Sequence, residues 1–343
     1  MTDTNMPHEK ITLIAEAGVN YNGDINLAKQ MVKVAKAAGA DIVKFQTGKP
    51  ENSISVYAEK AAYQVENTGG NQSQLEMCKT FMLPEEVYPE LARCCAEEGI
   101  EFLSTPFDIR SVDLLASVGQ RKWKIPSGEI TSLPLLIHIA ERHEPVILST
   151  GMSTLEEIGN ALEVLTKHGA GEITVLQCNT DYPTAYKDAN VRAMLTIKDT
   201  FGPKYGIKVG YSDHTNGPLV PIAAAALGAS LIEKHFTLDK SLPGPDQKAS
   251  MNPEELREFI RAVRDTETAL GTGIKVPSDS EIVNKDVVRK SIVALRHIKK
   301  GETLTEENLT YKRPGTGISA MKWFDALGRT AVRDFEPDEQ IVF

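Results

Sequence analysis

The sequence predicts an α/β chain: a (β/α)8 (TIM) barrel followed by a small β-rich domain. Three observations carry this. Eight short β-type runs alternate with longer helical ones over roughly 260 residues. Each run ends, on its C-terminal side, in polar groups. A stretch rich in Gly, Ser, Pro and Asp then separates these units from a compact tail.

The strand candidates, in order, are Thr12–Ala15, Asp41–Phe45, Glu101–Ser104, Lys122–Ile125, Pro145–Leu148, Ile173–Cys178, Lys208–Tyr211 and Ser230–Lys234. Between them lie helix-like stretches such as Asn26–Ala38, Pro84–Glu98, Thr154–His168, Pro218–Leu227 and Pro253–Leu270. Pro89 is expected to kink the second of these, and Ser111, Thr131, Ser153 and Asn190 look suited to helix N-caps. Strands that alternate with helices build parallel sheets. A doubly wound open sheet is the rival, but eight similar units favour closure. Gly271–Val288 lacks periodicity and reads as a linker. The domains expected are therefore a barrel over 1–272, a linker over 273–288 and a small domain over 289–343. That tail carries the runs Ser291–Ala294 and Gln340–Phe343, with turns at Lys300-Gly301 and Pro314-Gly315.

The chain has 343 residues, 41% hydrophobic and 25% charged, enough to bury a full core. A net charge of -9 argues against nonspecific binding to nucleic acid or to an anionic membrane. An anionic small substrate, which feels only the field of its pocket, stays compatible. Cys78, Cys94, Cys95 and Cys178 form no CxxC pair, so neither a disulfide framework nor a zinc site is expected. Met1–Lys10 has no apolar signal core, and no apolar run approaches the ~20 residues that span a bilayer. A cytoplasmic protein is expected.

The strand ends carry, in order, Glu16; Lys44 with Gln46; Ser104-Thr105; Ser127 with Glu129; Ser149-Thr150; Asn179-Thr180; Ser212 with His214; and His235. Barrel enzymes build their sites at that rim. Lys44 and Lys124 sit inside apolar strands, where an ammonium is costly unless it meets an anion. With the hydroxyls of Thr105, Ser127, Ser149 and Ser212 they suit a phosphate or carboxylate. The plainer alternative is that they snorkel or pair with Asp or Glu. Glu16 and Glu129 could move protons or contact hydroxyls. His214 and His235 fall on consecutive strands and point to a divalent cation with an open coordination sphere, a borderline or hard ion for want of a cysteine ligand. His8, His138, His143, His168 and His297 read as surface. Asp246, in Gly244-Pro245-Asp246, is either a turn-former or a polyol acceptor.

Together these segments resemble the sialic acid synthase family, bacterial enzymes that make nine-carbon 2-keto sugar acids. The likeness rests on Ile14–Gly18, Val43–Thr47, Phe102–Phe107 (FLSTPF), Lys124–Glu129 (KIPSGE), Leu148–Met152 (LSTGM), Tyr182-Pro183-Thr184, Ser212–Thr215 (SDHT), Glu233–Thr237 (EKHFT), Gly244–Asp246 and Lys312–Gly315. The tail resembles the antifreeze-like (SAF) domain that closes these synthases.

The resemblance implies condensation of phosphoenolpyruvate (PEP) with the open-chain aldehyde of an N-acetylmannosamine-type sugar, with phosphate released by C–O cleavage. It implies a metal on His214 and His235, Mn2+ foremost with Mg2+ or Co2+ as alternatives, that polarises the aldehyde. Lys44, Thr105, Lys124, Ser127, Ser149, Thr180 and Ser212 match positions that hold PEP. Glu16, Gln46, Tyr182 and Asp246 match sugar contacts, and Glu129 the acid/base of the water step. Arg313 would reach the sugar's N-acetyl group from the partner of a domain-swapped homodimer. Two departures stand out: Asn20-Tyr21 where many relatives have Asn-His, and the loop Asn67–Met77, where either Asn67 or Asn71 would contact PEP. The first expectation for the product is N-acetylneuraminate, with N,N'-diacetyllegionaminate, made from 2,4-diacetamido-2,4,6-trideoxymannose, as the alternative. A noncatalytic sugar-binding protein and a synthase acting on an aldose phosphate are remoter readings.

Overall fold

The computed structural model describes residues 10–70 and 72–343. The chain divides into two compact units, Met1–Thr272 and Gly273–Phe343. In the first, eight parallel strands form a barrel: β1 (Thr12–Gly18), β2 (Ile42–Thr47), β3 (Glu101–Pro106), β4 (Trp123–Ile125), β5 (Val146–Ser149), β6 (Ile173–Cys178), β7 (Lys208–Asp213) and β8 (Leu231–His235). The helices that follow them are α1 (Ile25–Ala38), α2 (Tyr88–Glu98), α3 (Ile109–Ser117), α4 (Leu133–Ala140), α5 (Leu155–Lys167), α6 (Ala193–Tyr205), α7 (Leu219–Ala226) and α8 (Pro253–Leu270).

Hydrogen-bonded ladders run from β3 through β2, β1, β8, β7, β6 and β5 to β4. Between β3 and β4 the seam is closed by a side chain. The amide of buried Gln120 accepts from Ser104 N at 2.7 Å and donates to Ser104 O at 3.0 Å, in place of a ladder rung. Lys122 and Glu101 pair across the same seam at 2.9 Å.

Period-two alternation splits the barrel into two cores. Outward-facing residues such as Leu13, Val43, Leu148 and Val175 meet the helices in one large cluster. Inward, Ile14, Ile42, Leu103, Ile147, Leu176 and Leu231 form a separate apolar plug. On β7 the matching place is Gly210, where a Cβ would stand 2.2 Å from Leu231 O and 2.7 Å from Leu176 Cδ2. A side chain has no room there.

The helices follow their apolar spacing. In α1, Ala28, Met31, Val32 and Ala35 are buried one above another, Asp24 caps the start, and Gly39 at φ +92° ends it. Pro89 does not kink its helix. A short 3-10 turn (Glu85–Val87) precedes α2, so Pro89 falls in the first turn, where a missing N–H breaks no bond. The four expected caps are also corrected: Asp108, Ser132, Thr154 and Arg192 hold those positions. Asp108 and Thr154 cap with their side chains, Thr154 in a capping box with Glu157, whereas Ser132 and Arg192 make no side-chain cap bond.

The expected linker is not irregular throughout. A further helix, α9 (Asp279–Val288), starts at the capping box Ser278/Glu281 and buries no residue. Within the second unit, β9 (Ser291–Ala294) pairs antiparallel with β10 (Leu309–Lys312), and Val293 bridges Gln340. Ile292, Ala294, Leu309, Phe335 and Ile341 share its small core.

Candidate active site

Two residues beyond the apolar plug, on the same inward face, the strands change chemistry. Ile14 is followed by Glu16, Ile42 by Lys44, Leu103 by Thr105, Ile147 by Ser149, Leu176 by Cys178, Gly210 by Ser212 and Leu231 by Glu233. Lys124 comes from β4. This polar layer is the floor of a cleft of about 650 Å3 at the C-terminal end of the barrel. Where two adjacent polar residues end a strand, one of them faces in. Thr105 and Ser149 line the cleft, whereas Ser104 bonds Thr47 outside it and Thr150 donates to Leu176 O.

On the floor, Lys44 Nζ stands 2.6 Å from Glu16 Oε2, off hydrogen-bonding angles, 3.6 Å from Glu233 Oε2, and donates to Thr105 Oγ1 at 3.0 Å. Lys124 Nζ donates to Ser149 Oγ at 2.6 Å and lies 3.8 Å from Glu233 Oε1, which accepts from Ser212 Oγ at 3.0 Å. Both lysines and both carboxylates are buried. Burial pushes the Glu16 carboxyl up to about 7, against the pull of Lys44. Burial also lowers Lys124, with Glu233 opposing. Lys44 is raised all the same, because Glu16 and Glu233 outweigh its burial, and Glu233 is lowered because Lys124 and Lys44 outweigh its own. The floor is thus a desolvated set of ammonium and hydroxyl donors, suited to an anion.

The imidazoles stand at one rim, their ring centroids 5.3 Å apart. His214 Nδ1 lies 2.5 Å from Asn179 O. A carbonyl only accepts, so Nδ1 carries a proton and Nε2 is the nitrogen left for a ligand; burial lowers the ring, but Cys178, the Asn179 carbonyl and Asp213 together raise it above the usual histidine value. Among the described residues His235 Nδ1, buried, has no hydrogen-bond partner, and burial followed by the proximity of His214 holds that ring well below the usual histidine range, hence neutral. Gly18 at φ +54° lets the ring pack closely, since a Cβ there would meet Nδ1 at 3.2 Å. With metal–nitrogen bonds of about 2.1 Å, two imidazoles on one ion would sit roughly 4.5–5.5 Å apart. The pair fits a cation. Among the described residues, no group of three or more His, Cys, Asp or Glu side chains could hold a metal. An ion here would have two protein ligands and take the others from water or substrate.

Above the floor, the Tyr182 ring lies 4.0 Å from His214 and 5.0 Å from Tyr63. Asp246 is buried, and its carboxyl is pushed up to about 6 by that burial. Asn67 donates to Pro245 O at 2.7 Å, which ties the Asn67–Met77 loop to the Asp246 turn; Asn71 lies outside the described residues. Glu129 is half-buried and bonded to Ser132. Tyr21 is fully buried beside Phe45, its hydroxyl 3.3 Å from Gln46 O. It is core.

Of the sequence-predicted site residues, Glu16, Lys44, Gln46, Thr105, Lys124, Ser127, Glu129, Ser149, Thr180, Tyr182, Ser212, His214, His235 and Asp246 line this one cleft, whereas Asn67 and Arg313 do not. Arg313 is an exposed residue of the second unit. None of His138, His143, His168 and His297 lines it, and His8 lies outside the described residues. Sequence reasoning missed Glu233 and Cys178. The signal that finds them is the step of two from Leu231 and Leu176.

Eight βα units that place an anion cradle and a pair of imidazoles at the catalytic rim define a barrel enzyme. The chain belongs to the NeuB family, whose model matches residues 31–275, and residues 289–343 match the SAF domain. It is similar to the N,N'-diacetyllegionaminic acid synthase of Campylobacter jejuni subsp. jejuni, 50% identical over 97% of this chain and 99% of that one. The enzyme of the same name from Legionella pneumophila subsp. pneumophila is 46% identical, over 92% and 89%. Among solved structures, the N-acetylneuraminic acid synthetase of Leptospira borgpetersenii serovar Hardjo-bovis, in complex with citrate, superposes with a TM-score of 0.69 at 32% identity. That match covers 80% of this chain and 90% of the other.

Proposed function

We propose that this enzyme is an N,N'-diacetyllegionaminic acid synthase that condenses PEP with 2,4-diacetamido-2,4,6-trideoxymannose. The observation that carries the chemistry is the buried floor of Lys44, Lys124, Thr105, Ser149 and Ser212 beside two imidazoles. Identity of 50% and 46% to diacetyllegionaminate synthases, against 32% to an N-acetylneuraminic acid synthetase, supports the diacetamido sugar over the first expectation of N-acetylmannosamine.

In this reading Lys44 and Lys124 bind the phosphate and carboxylate of PEP, with the three hydroxyls donating to remaining oxygens. Tyr182 and Asp246 orient the sugar. C3 of PEP forms the new carbon–carbon bond with the aldehyde carbon, whose oxygen takes up a proton. Water adds to C2, losing its proton to a cleft carboxylate, Glu129 foremost. The C2–O bond then breaks and phosphate leaves with its electron pair, giving a 2-keto acid. A Mn2+ or similar ion on His214 and His235 would polarise the aldehyde carbonyl. The homodimer that brings Arg313 to a partner's cleft and a cytoplasmic location belong to the same proposal. Among the described residues, no helix is long and apolar enough to cross a membrane.

The test is phosphate release together with product mass, measured with PEP and each of the two sugars. The diacetamido sugar should give the larger kcat/KM by at least tenfold. Equal or greater kcat/KM with N-acetylmannosamine would return the assignment to N-acetylneuraminate, and no phosphate release from any hexosamine would overturn the enzyme reading.

A further inference from the structure

Directly behind the two imidazoles, on the outer face of the same strands, lies a buried ion pair that no step above uses. Asp213 and Lys234 are register partners across β7 and β8, and each immediately precedes one of the histidines. The carboxylate is 1% and the lysine 2% exposed, and neither lines the cleft. Lys234 Nζ donates to Asp213 Oδ2 and, at 2.5 Å, to Thr215 O. Asp213 Oδ1 accepts from Thr215 N at 3.0 Å, and Oδ2 accepts from Thr215 Oγ1 at 3.0 Å. The residues on both sides of His214 are thus tied to the residue before His235. The carbonyls complete the frame: His214 O accepts from Thr184 N at 2.9 Å, and His235 O from Met251 N at 2.9 Å.

A buried ion pair is a poor source of stability, because desolvating two charges offsets most of their attraction, and an apolar pair of the same volume usually serves as well. What charges and directed hydrogen bonds supply is a single backbone geometry. At β7 and β8 that geometry sets the spacing and tilt of the two rings.

We propose that Asp213, Lys234 and Thr215 form a positioning clip that holds His214 and His235 in the arrangement needed to share one divalent cation. The proposal rests on the metal reading of the histidine pair. The clip touches neither ion nor substrate. It fixes ligand spacing, so its loss weakens cation binding and leaves the PEP cradle as it is.

The experiment is a titration of the metal-free full chain with Mn2+, followed by electron paramagnetic resonance of free aqueous Mn2+, with no substrate present. Wild type should show a site that His235→Ala abolishes. The double variant Asp213→Leu/Lys234→Met, neutral and of similar volume, should keep its Tm within a few degrees yet bind Mn2+ roughly tenfold more weakly, the low end of what supporting interactions around metal ligands contribute. Its PEP KM at saturating Mn2+ should change less than twofold. Val112→Ala, a change at a buried residue of α3 on the far side of the barrel, should lower Tm and leave Mn2+ affinity unchanged. A His235-dependent site retained at wild-type affinity in the double variant overturns the clip alone. Absence of such a site in wild type overturns the metal reading and the clip with it. Should the double variant not fold, Thr215→Val, which removes only one hydrogen bond to Asp213, is titrated in its place, with about threefold weaker binding expected and unchanged binding refuting.

Discussion

Glu233→Gln keeps the shape of a floor residue and removes its charge. Glu233 stands 3.6 Å from Lys44 Nζ and 3.8 Å from Lys124 Nζ. Each contact carries about 4 kcal/mol of gross Coulomb energy at an effective dielectric near 20. Lys44 keeps Glu16 at 2.6 Å, but among the described residues Lys124 would retain only Ser149 Oγ and the Ile125 carbonyl. Removing one partner of a buried pair typically costs about 3–5 kcal/mol, because the remaining charge stays desolvated. At roughly 2 °C per kcal/mol for a domain of this size, Tm should fall by about 6–10 °C.

The sign of the pH dependence follows from Lys124, which burial already lowers and which would fall further without Glu233. A lysine lowered on folding binds fewer protons folded than unfolded, so stability rises with pH across that window. The deficit should therefore be largest near pH 6 and shrink by pH 9. Inorganic phosphate supplies the missing negative charge, so it should raise the Tm of the variant more than that of wild type. Thermal unfolding at pH 6, 7.5 and 9, with and without phosphate, reads all three. A Tm within 2 °C of wild type with an equal phosphate shift would refute the account of the floor.

Asp246, raised from 3.8 to about 6 by burial, loses stability as pH rises through that interval, about 3 kcal/mol at 1.36 per unit. Asp246→Asn should accordingly gain Tm relative to wild type at pH 7.5 and gain less at pH 4; the reverse order would refute the assignment. Gly210→Ala drives a Cβ against Leu231 O at the floor of the barrel, where backbone cannot yield. We expect insoluble protein or at least about 3 kcal/mol lost in urea unfolding, and near-wild-type stability would show the plug is loosely packed. Arg313→Ala should raise the sugar KM severalfold and spare that of PEP, and an unchanged sugar KM would remove Arg313 from the proposal.

How much of this was legible beforehand can be read from particular residues. Strand and helix existence was local. Ile173–Cys178 and Pro253–Leu270 fall where periodicity places them, and each other strand agrees to within one to three residues at either end. The polar strand ends were visible too, because residues such as Lys44 inside Ile42–Thr47 contradict an apolar run. The helix at Asp279–Val288 escaped notice although Ser278 and Glu281 announce it, since the Gly, Ser and Pro before it read as a linker and its apolar residues Ile282, Val283, Val287 and Val288 stay exposed. The cap at Thr154, one place from the expected Ser153, was legible as well, since Glu157 three residues on completes a capping box with it.

By itself, then, the chain's pattern of alternating runs determined the barrel, the rim and nearly all the side chains that meet there. Which member of a polar doublet turns inward was another matter. Ser104 and Thr105 are equivalent to any local rule, and only closure of the sheet, with Gln120 sealing its seam and Gly210 leaving space for Leu176, sets the inward phase of each strand. That phase put Glu233 between two lysines and Asp213 against Lys234 behind the histidines. These are long-range pairings across strands, and their physics begins once the barrel has closed.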